Sequence, residues 1–161
     1  MQEFQWKISA QQYAAAEELP AADAELLEEA KAALAKSYSP YSRFKVGAAI
    51  RLANGAVLSG ANFENAAYPM CLCAERSVLA AAASTHPGVA VAAMAITVQN
   101  PAKPVVMPAA PCGACRQVMA ETEAFHAQDM RVLLQGESGP VLAFRAAKDF
   151  LPLYFDSGFL V

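Results

Sequence analysis

From Asp23 the apolar positions Leu26, Leu27, Ala30, Ala33 and Leu34 recur at helical spacing, and Ser39-Pro40 ends the run. The intervening Glu25, Glu28, Glu29 and Lys31 mark a solvated face, so this is a helix with one buried stripe. Residues 44–52 (FKVGAAIRL) are rich in strand formers, and Asn54-Gly55 is a strong two-residue hairpin signal before a partner strand over 56–61. The loop NFENAAYPM leads into a second helix, CAERSVLAAAAS, stopped by His86-Pro87-Gly88. Residues 89–98 form an uninterrupted apolar run, the mark of a strand buried on both faces. After a proline-punctuated loop a third helix runs from about Gly113 to Phe125. Strands are predicted at 131–135 and 141–145, and a short helix stopped by Pro152 precedes an aromatic tail. Residues 1–20 are weakly patterned: Trp6 and Ile8 suggest a short strand, and 13–19 a helical turn closed by Pro20. The order αββαβαββ, with no repeat or linker, predicts one α/β domain over 1–161 with about five strands covered by helices.

Composition narrows the function. Of 161 residues, 56% are hydrophobic and 17% charged, which excludes disorder and implies a filled core. The net charge of −3 argues against a sequence-independent grip on nucleic acid. The longest apolar run is about half of the ~18–20 residues a membrane helix needs. The N-terminus lacks the basic start and apolar stretch of a secretory signal. A cytoplasmic protein without membrane or nucleic-acid partners is therefore expected. The four cysteines fall in two close pairs, Cys71 with Cys73 and Cys112 with Cys115. In a reducing compartment such grouping points to metal or redox chemistry rather than bridges.

Cys73-Ala74-Glu75 and Pro111-Cys112-Gly113-Ala114-Cys115 both stand where a loop becomes a helix. Two successive crossover helices begin at the same end of the strands they connect, so their starts can meet. Cys112 and Cys115 are one turn apart and share a face. With Cys73 they give three thiolates, the protein ligand count of a catalytic Zn²⁺ that keeps its fourth position for water. Helix N-termini suit this centre, because unpaired N–H groups there withdraw charge from the sulfurs. Arg76 adds a charged donor. Glu75 can face the metal only if Cys73 is a non-helical cap, since an offset of two within a helix turns a side chain away by ~200°. Placed so, its carboxylate can shuttle protons. Cys-x-Glu followed by Pro-Cys-x-x-Cys is the zinc-deaminase signature in its all-cysteine form.

Four segments in order, YSPYSRFKVGAAI, GANFENAAYP, CAER and PCGACRQVM, resemble cytidine deaminases of the small, homotetrameric, three-cysteine type. The resemblance spans Tyr38 to Met119. It implies a three-layer α/β/α sandwich with a mixed sheet, and one Zn²⁺ per chain on Cys73, Cys112 and Cys115. Glu75 is then the proton shuttle. Asn62 and Glu64 read the ribose, chiefly its 3′-hydroxyl, and Phe44 stacks on the pyrimidine. Tyr68 and Phe155 complete neighbouring subunits' sites in a homotetramer. The implied reaction is deamination of cytidine and 2′-deoxycytidine to the uridine forms in pyrimidine salvage.

Plainer readings compete. A structural site with Cys71 as fourth ligand needs an unusually tight C-x-C spacing and leaves CAER and NFEN idle. A redox role for Cys112 and Cys115 leaves Cys73 and Glu75 idle. Deamination of a nucleoside-like antibiotic of the blasticidin S type, and a catalytically silent, zinc-stabilised nucleoside-binding protein, remain alternatives. Cys71 is expected to hold no metal. Phe63 is bulkier than the aliphatic residue common at its position. His86 and His126, near helix C-termini, read as structural.

Overall fold

The computed structural model describes residues 1–160. Its six-stranded mixed sheet comprises β1 (Gln11–Tyr13), β2 (Lys45–Leu52), β3 (Val57–Ala61), β4 (Val91–Gln99), β5 (Arg131–Leu134) and β6 (Val141–Phe144). The strand order is β1-β6-β5-β4-β2-β3. Among the named strands of the described residues, β4 and β5 alone pair in parallel. Three helices accompany the sheet: α1 (Ala21–Ala33), α2 (Ala74–Thr85) and α3 (Gly113–His126).

The strands' period-two alternation sorts the core into two layers of different size. Ile50, Leu52, Met94, Ile96 and Leu134 face Val78, Leu79 and Met119 of α2 and α3. The opposite face carries Ala49, Ala93, Ala95 and Ala143 against Leu26, Leu27 and Ala30 of α1. Small residues on that side let α1 approach closely. At Gly47 an added Cβ would lie 2.1 Å from the Ala30 carbonyl oxygen, so only glycine fits beneath the helix. The result is the α/β/α sandwich implied by the resemblance, with six strands rather than about five.

The extra strand corrects the reading of the N-terminus. Trp6 and Ile8 are exposed and lie in no strand. The edge strand is instead Gln11–Tyr13, which pairs antiparallel with β6 at Gln11↔Ala143 and Tyr13↔Val141. The predicted turn over 13–19 shrinks to a 3₁₀ turn at Ala16–Glu18, and the one before Pro152 to a 3₁₀ turn at Ala147–Phe150. The hairpin stands at Asn54-Gly55, where Gly55 takes φ 86°.

β3 and β4 both run antiparallel to β2 and therefore point the same way. The helix that follows each, α2 and α3, consequently starts at the same end of the sheet. This topology brings the two cysteine-bearing turns together.

Candidate active site

Cys73 is the N-cap of α2, with extended backbone at φ −72° and ψ 153°. Cys112 caps α3 at φ −67° and ψ 165°. Neither side chain accepts a hydrogen bond from its own first turn, whose N–H groups have no intrahelical partner. Cys115, fully buried, is one turn further along α3. The Cys73 and Cys112 sulfurs are 3.9 Å apart, and those of Cys112 and Cys115 3.4 Å. A tetrahedral zinc with bonds of about 2.3 Å spaces its sulfurs about 3.8 Å apart, so the three thiols fit that ion. Among the described residues their ligand atoms all lie within 4.8 Å of one another. Cys71 stays outside this cluster, and its sulfur accepts the Asn65 N–H at 3.3 Å.

Because Cys73 is extended, Glu75 in the first turn of α2 lies beside the thiols and lines the same cavity. Its side chain is buried. That burial pushes the carboxyl above its usual range, and the Cys73 charge adds to the effect. The nearby Cys115 thiol, with Arg76 assisting, pulls the Cys73 thiol down to about 5. The proximity of Cys73, with burial, pushes the Cys115 thiol up. Desolvation opposes the charge on Arg76, but the Cys73 sulfur outweighs it and holds the guanidinium above its ordinary value. One Arg76 Nη donates to the Cys71 carbonyl at 3.2 Å. Among the described residues its buried Nε has no hydrogen-bond partner.

The cavity above the thiols is about 280 Å³ and is lined by Phe44, Asn62, Glu64, Cys73, Glu75 and Cys112, with Ile96 and Val98 from β4. The Asn62 amide is nearly saturated. Its Oδ1 accepts from Ser37 Oγ at 2.7 Å and the Val46 N–H at 2.8 Å, and its Nδ2 donates to the Phe44 carbonyl at 2.9 Å. One N–H remains. Glu64 Oε2 accepts the N–H groups of Tyr41 (2.9 Å) and Ser42 (3.3 Å), while Oε1 accepts the Ser42 hydroxyl at 2.5 Å. The Ser42 hydroxyl is the main reason the Glu64 carboxyl lies below its usual range. A carboxylate has about four acceptor positions, so one stays open, on Oε1. Together the pair offers one donor and one acceptor, the complement of a single hydroxyl group.

Tyr68 and Phe155 do not line this cavity. Tyr68 is 70% exposed and meets Tyr41 edge-on at 6.2 Å. Phe155 stacks on Phe159 and lines a separate apolar groove of about 710 Å³ between α2, α3 and the tail. Two supporting residues escaped the sequence reading. Arg116 donates from Nε to the Pro111 carbonyl at 2.7 Å and from Nη1 to the Phe150 carbonyl at 3.0 Å, fixing the turn before Cys112. Ser42 holds Glu64. Its place two residues before Phe44 was the available signal, because serine bonds backbone two residues on.

The family model for the cytidine and deoxycytidylate deaminase zinc-binding region matches residues 20–128. The chain is 48% identical over 98 residues to a cytidine deaminase of Halalkalibacterium halodurans, a stretch covering 60% of this chain and 68% of that one. The crystal structure of cytidine deaminase from Burkholderia pseudomallei superposes with a TM-score of 0.71 and 44% identity, covering 81% of this chain and 97% of that one. For the enzyme from Mycobacterium tuberculosis the values are 0.62 and 35%, over 81% and 94%.

Proposed function

The chain belongs to the cytidine and deoxycytidylate deaminase zinc-binding family, and from that premise we propose that it hydrolytically deaminates cytidine and 2′-deoxycytidine, releasing uridine or 2′-deoxyuridine and ammonia. The observation that carries this reading is a buried carboxyl, Glu75, beside three gathered thiols at one end of a cavity whose other wall reads a hydroxyl. Cys73, Cys112 and Cys115 hold one zinc per chain. When bound, zinc supplies the Lewis acidity that makes water a nucleophile near neutral pH.

Phe44 offers its ring to the face of the pyrimidine and orients it over Glu75. Asn62 Nδ2 and Glu64 Oε1 together bind one ribose hydroxyl, chiefly the 3′. A site that reads a single hydroxyl accepts both the ribo- and the 2′-deoxyribonucleoside. Glu75 takes a proton from the attacking water on its carboxylate and hands it to ring N3. It then takes the remaining proton from the hydroxyl now on C4 and delivers it to the amino nitrogen, so that the C4–N bond breaks, the C4 carbonyl forms and ammonia leaves. Its raised proton affinity suits a group that must both accept and release a proton. Arg76 draws charge from the sulfurs.

Tyr68 and Phe155, exposed and away from their own chain's cavity, suit contributions to neighbouring sites in a homotetramer. That assembly would also cover apolar surface such as the groove beside Phe155. Among the described residues no helix is long and apolar enough to cross a membrane. The reaction belongs to pyrimidine salvage in the cytoplasm. The test is steady-state loss of cytidine absorbance with ammonia measured in parallel. Stoichiometric ammonia and uridine are expected. Nucleoside binding without ammonia release would overturn the assignment.

A further inference from the structure

The turn before β2 connects the two ends of the substrate cavity through one hydroxyl. Ser42 Oγ donates to Glu64 Oε1 at 2.5 Å and accepts the Phe44 N–H at 2.9 Å. Accepting from Phe44 fixes the rotor, so its single proton points at the carboxylate. The turn is held in shape around it. The Arg43 N–H bonds the Ser39 carbonyl at 3.0 Å, and Arg43 itself takes φ 58°, in the left-handed region. Glu64 Oε2 is occupied by two backbone N–H groups, which leaves Oε1 as the oxygen with an open acceptor position. Ser42 therefore bonds the one oxygen that remains free to meet substrate, and the same hydroxyl sets where the Phe44 backbone begins.

We propose that Ser42 is a positioning residue for sugar recognition, aiming Glu64 Oε1 at the substrate hydroxyl while tying that carboxylate to the Phe44 backbone. The inference rests on the deaminase reading above. Without the Ser42 hydroxyl, the Glu64 carboxylate keeps its two backbone donors but rotates freely about them. The loss then falls on substrates that present a sugar hydroxyl and spares those that do not.

The experiment compares kcat and KM of the zinc-loaded wild type, Ser42→Ala and Ser42→Thr on cytidine and on 2′,3′-dideoxycytidine, with Ser42→Ala also placed in a Glu64→Gln background. One charge-assisted hydrogen bond corresponds to a loss of about 10- to 100-fold. Ser42→Ala is expected to lose that much in kcat/KM on cytidine and less than about threefold on the dideoxy substrate. Ser42→Thr restores most of the cytidine activity, and in the Glu64→Gln background Ser42→Ala adds little. Equal losses on both substrates, full additivity with Glu64→Gln, or no rescue by threonine would each overturn the proposal. If Ser42→Ala does not accumulate as folded protein, Ser42→Gly carries the same comparison. A wild type that turns over neither substrate would instead overturn the functional reading, and this inference with it.

Discussion

Glu123 on α3 gives a sharp test of how the scaffold is held. Its buried carboxylate accepts three backbone N–H groups: Met130 at 2.6 Å and Ala147 at 2.8 Å on Oε1, and Lys148 at 2.9 Å on Oε2. It thereby fastens α3 to the start of β5 and to the 3₁₀ turn after β6. A hydrogen bond to a charged acceptor contributes about 1.5–3 kcal/mol, and a buried donor left unmatched costs about 1–3 kcal/mol. Glu123→Ala strands two fully buried donors and one half-buried donor, so the non-additive total is about 3–5 kcal/mol. Glu123→Gln keeps Oε1 but turns an amide N–H₂ toward the Lys148 N–H, a loss of about 1.5–3 kcal/mol. At about 2–4 °C per kcal/mol for a chain of this size, the alanine variant melts roughly 6–20 °C lower. Calorimetry at fixed protein concentration, with urea midpoints as a check, reads both variants. An alanine variant within about 0.5 kcal/mol of wild type, or a glutamine variant less stable than the alanine one, would show that Glu123 does not hold these elements together.

Two further outcomes concern the metal centre. Arg116→Ala releases the turn before Cys112, so zinc should be lost to a chelator about 10–100 times faster; wild-type release kinetics would contradict the role given to Arg116. In chelator-treated protein, Cys73, with its thiol near 5, remains a thiolate down to mildly acidic pH. Its iodoacetamide modification, followed by peptide mapping, should therefore be nearly flat from pH 8 to 6 and fall only toward pH 5. An ordinary thiol declines about tenfold per pH unit over that range, and that behaviour at Cys73 would count against the Cys115–Arg76 environment described.

The chemistry-bearing residues were legible because their spacing is local. Cys73 and Glu75 flank one helix start, Cys112 and Cys115 lie one turn apart, and a strand with its return loop separates the two elements. The helices and β2 to β6 were legible through periodicity. β1 was not: Gln-Gln-Tyr has no apolar alternation, and only pairing with β6 makes it a strand. Trp6 and Ile8 mislead for the converse reason, having strand-forming side chains but no partner strand. Residues whose roles span long separations were equally hidden. Asp23 meets Arg131 across 108 positions, Glu123 meets the 147–148 turn, and Ser42 meets Glu64 22 positions on. Composition alone does not reveal which distant donors a carboxylate will meet.

In the proposed reaction Glu75 moves protons beside a zinc held by three cysteines. That role is tested most directly by measuring zinc content and cytidine turnover together in Glu75→Gln. The variant should hold about one zinc per chain, as in the wild type, with turnover lowered by about 10²–10⁴-fold or more. A variant that keeps its zinc and a near-normal rate would contradict that role.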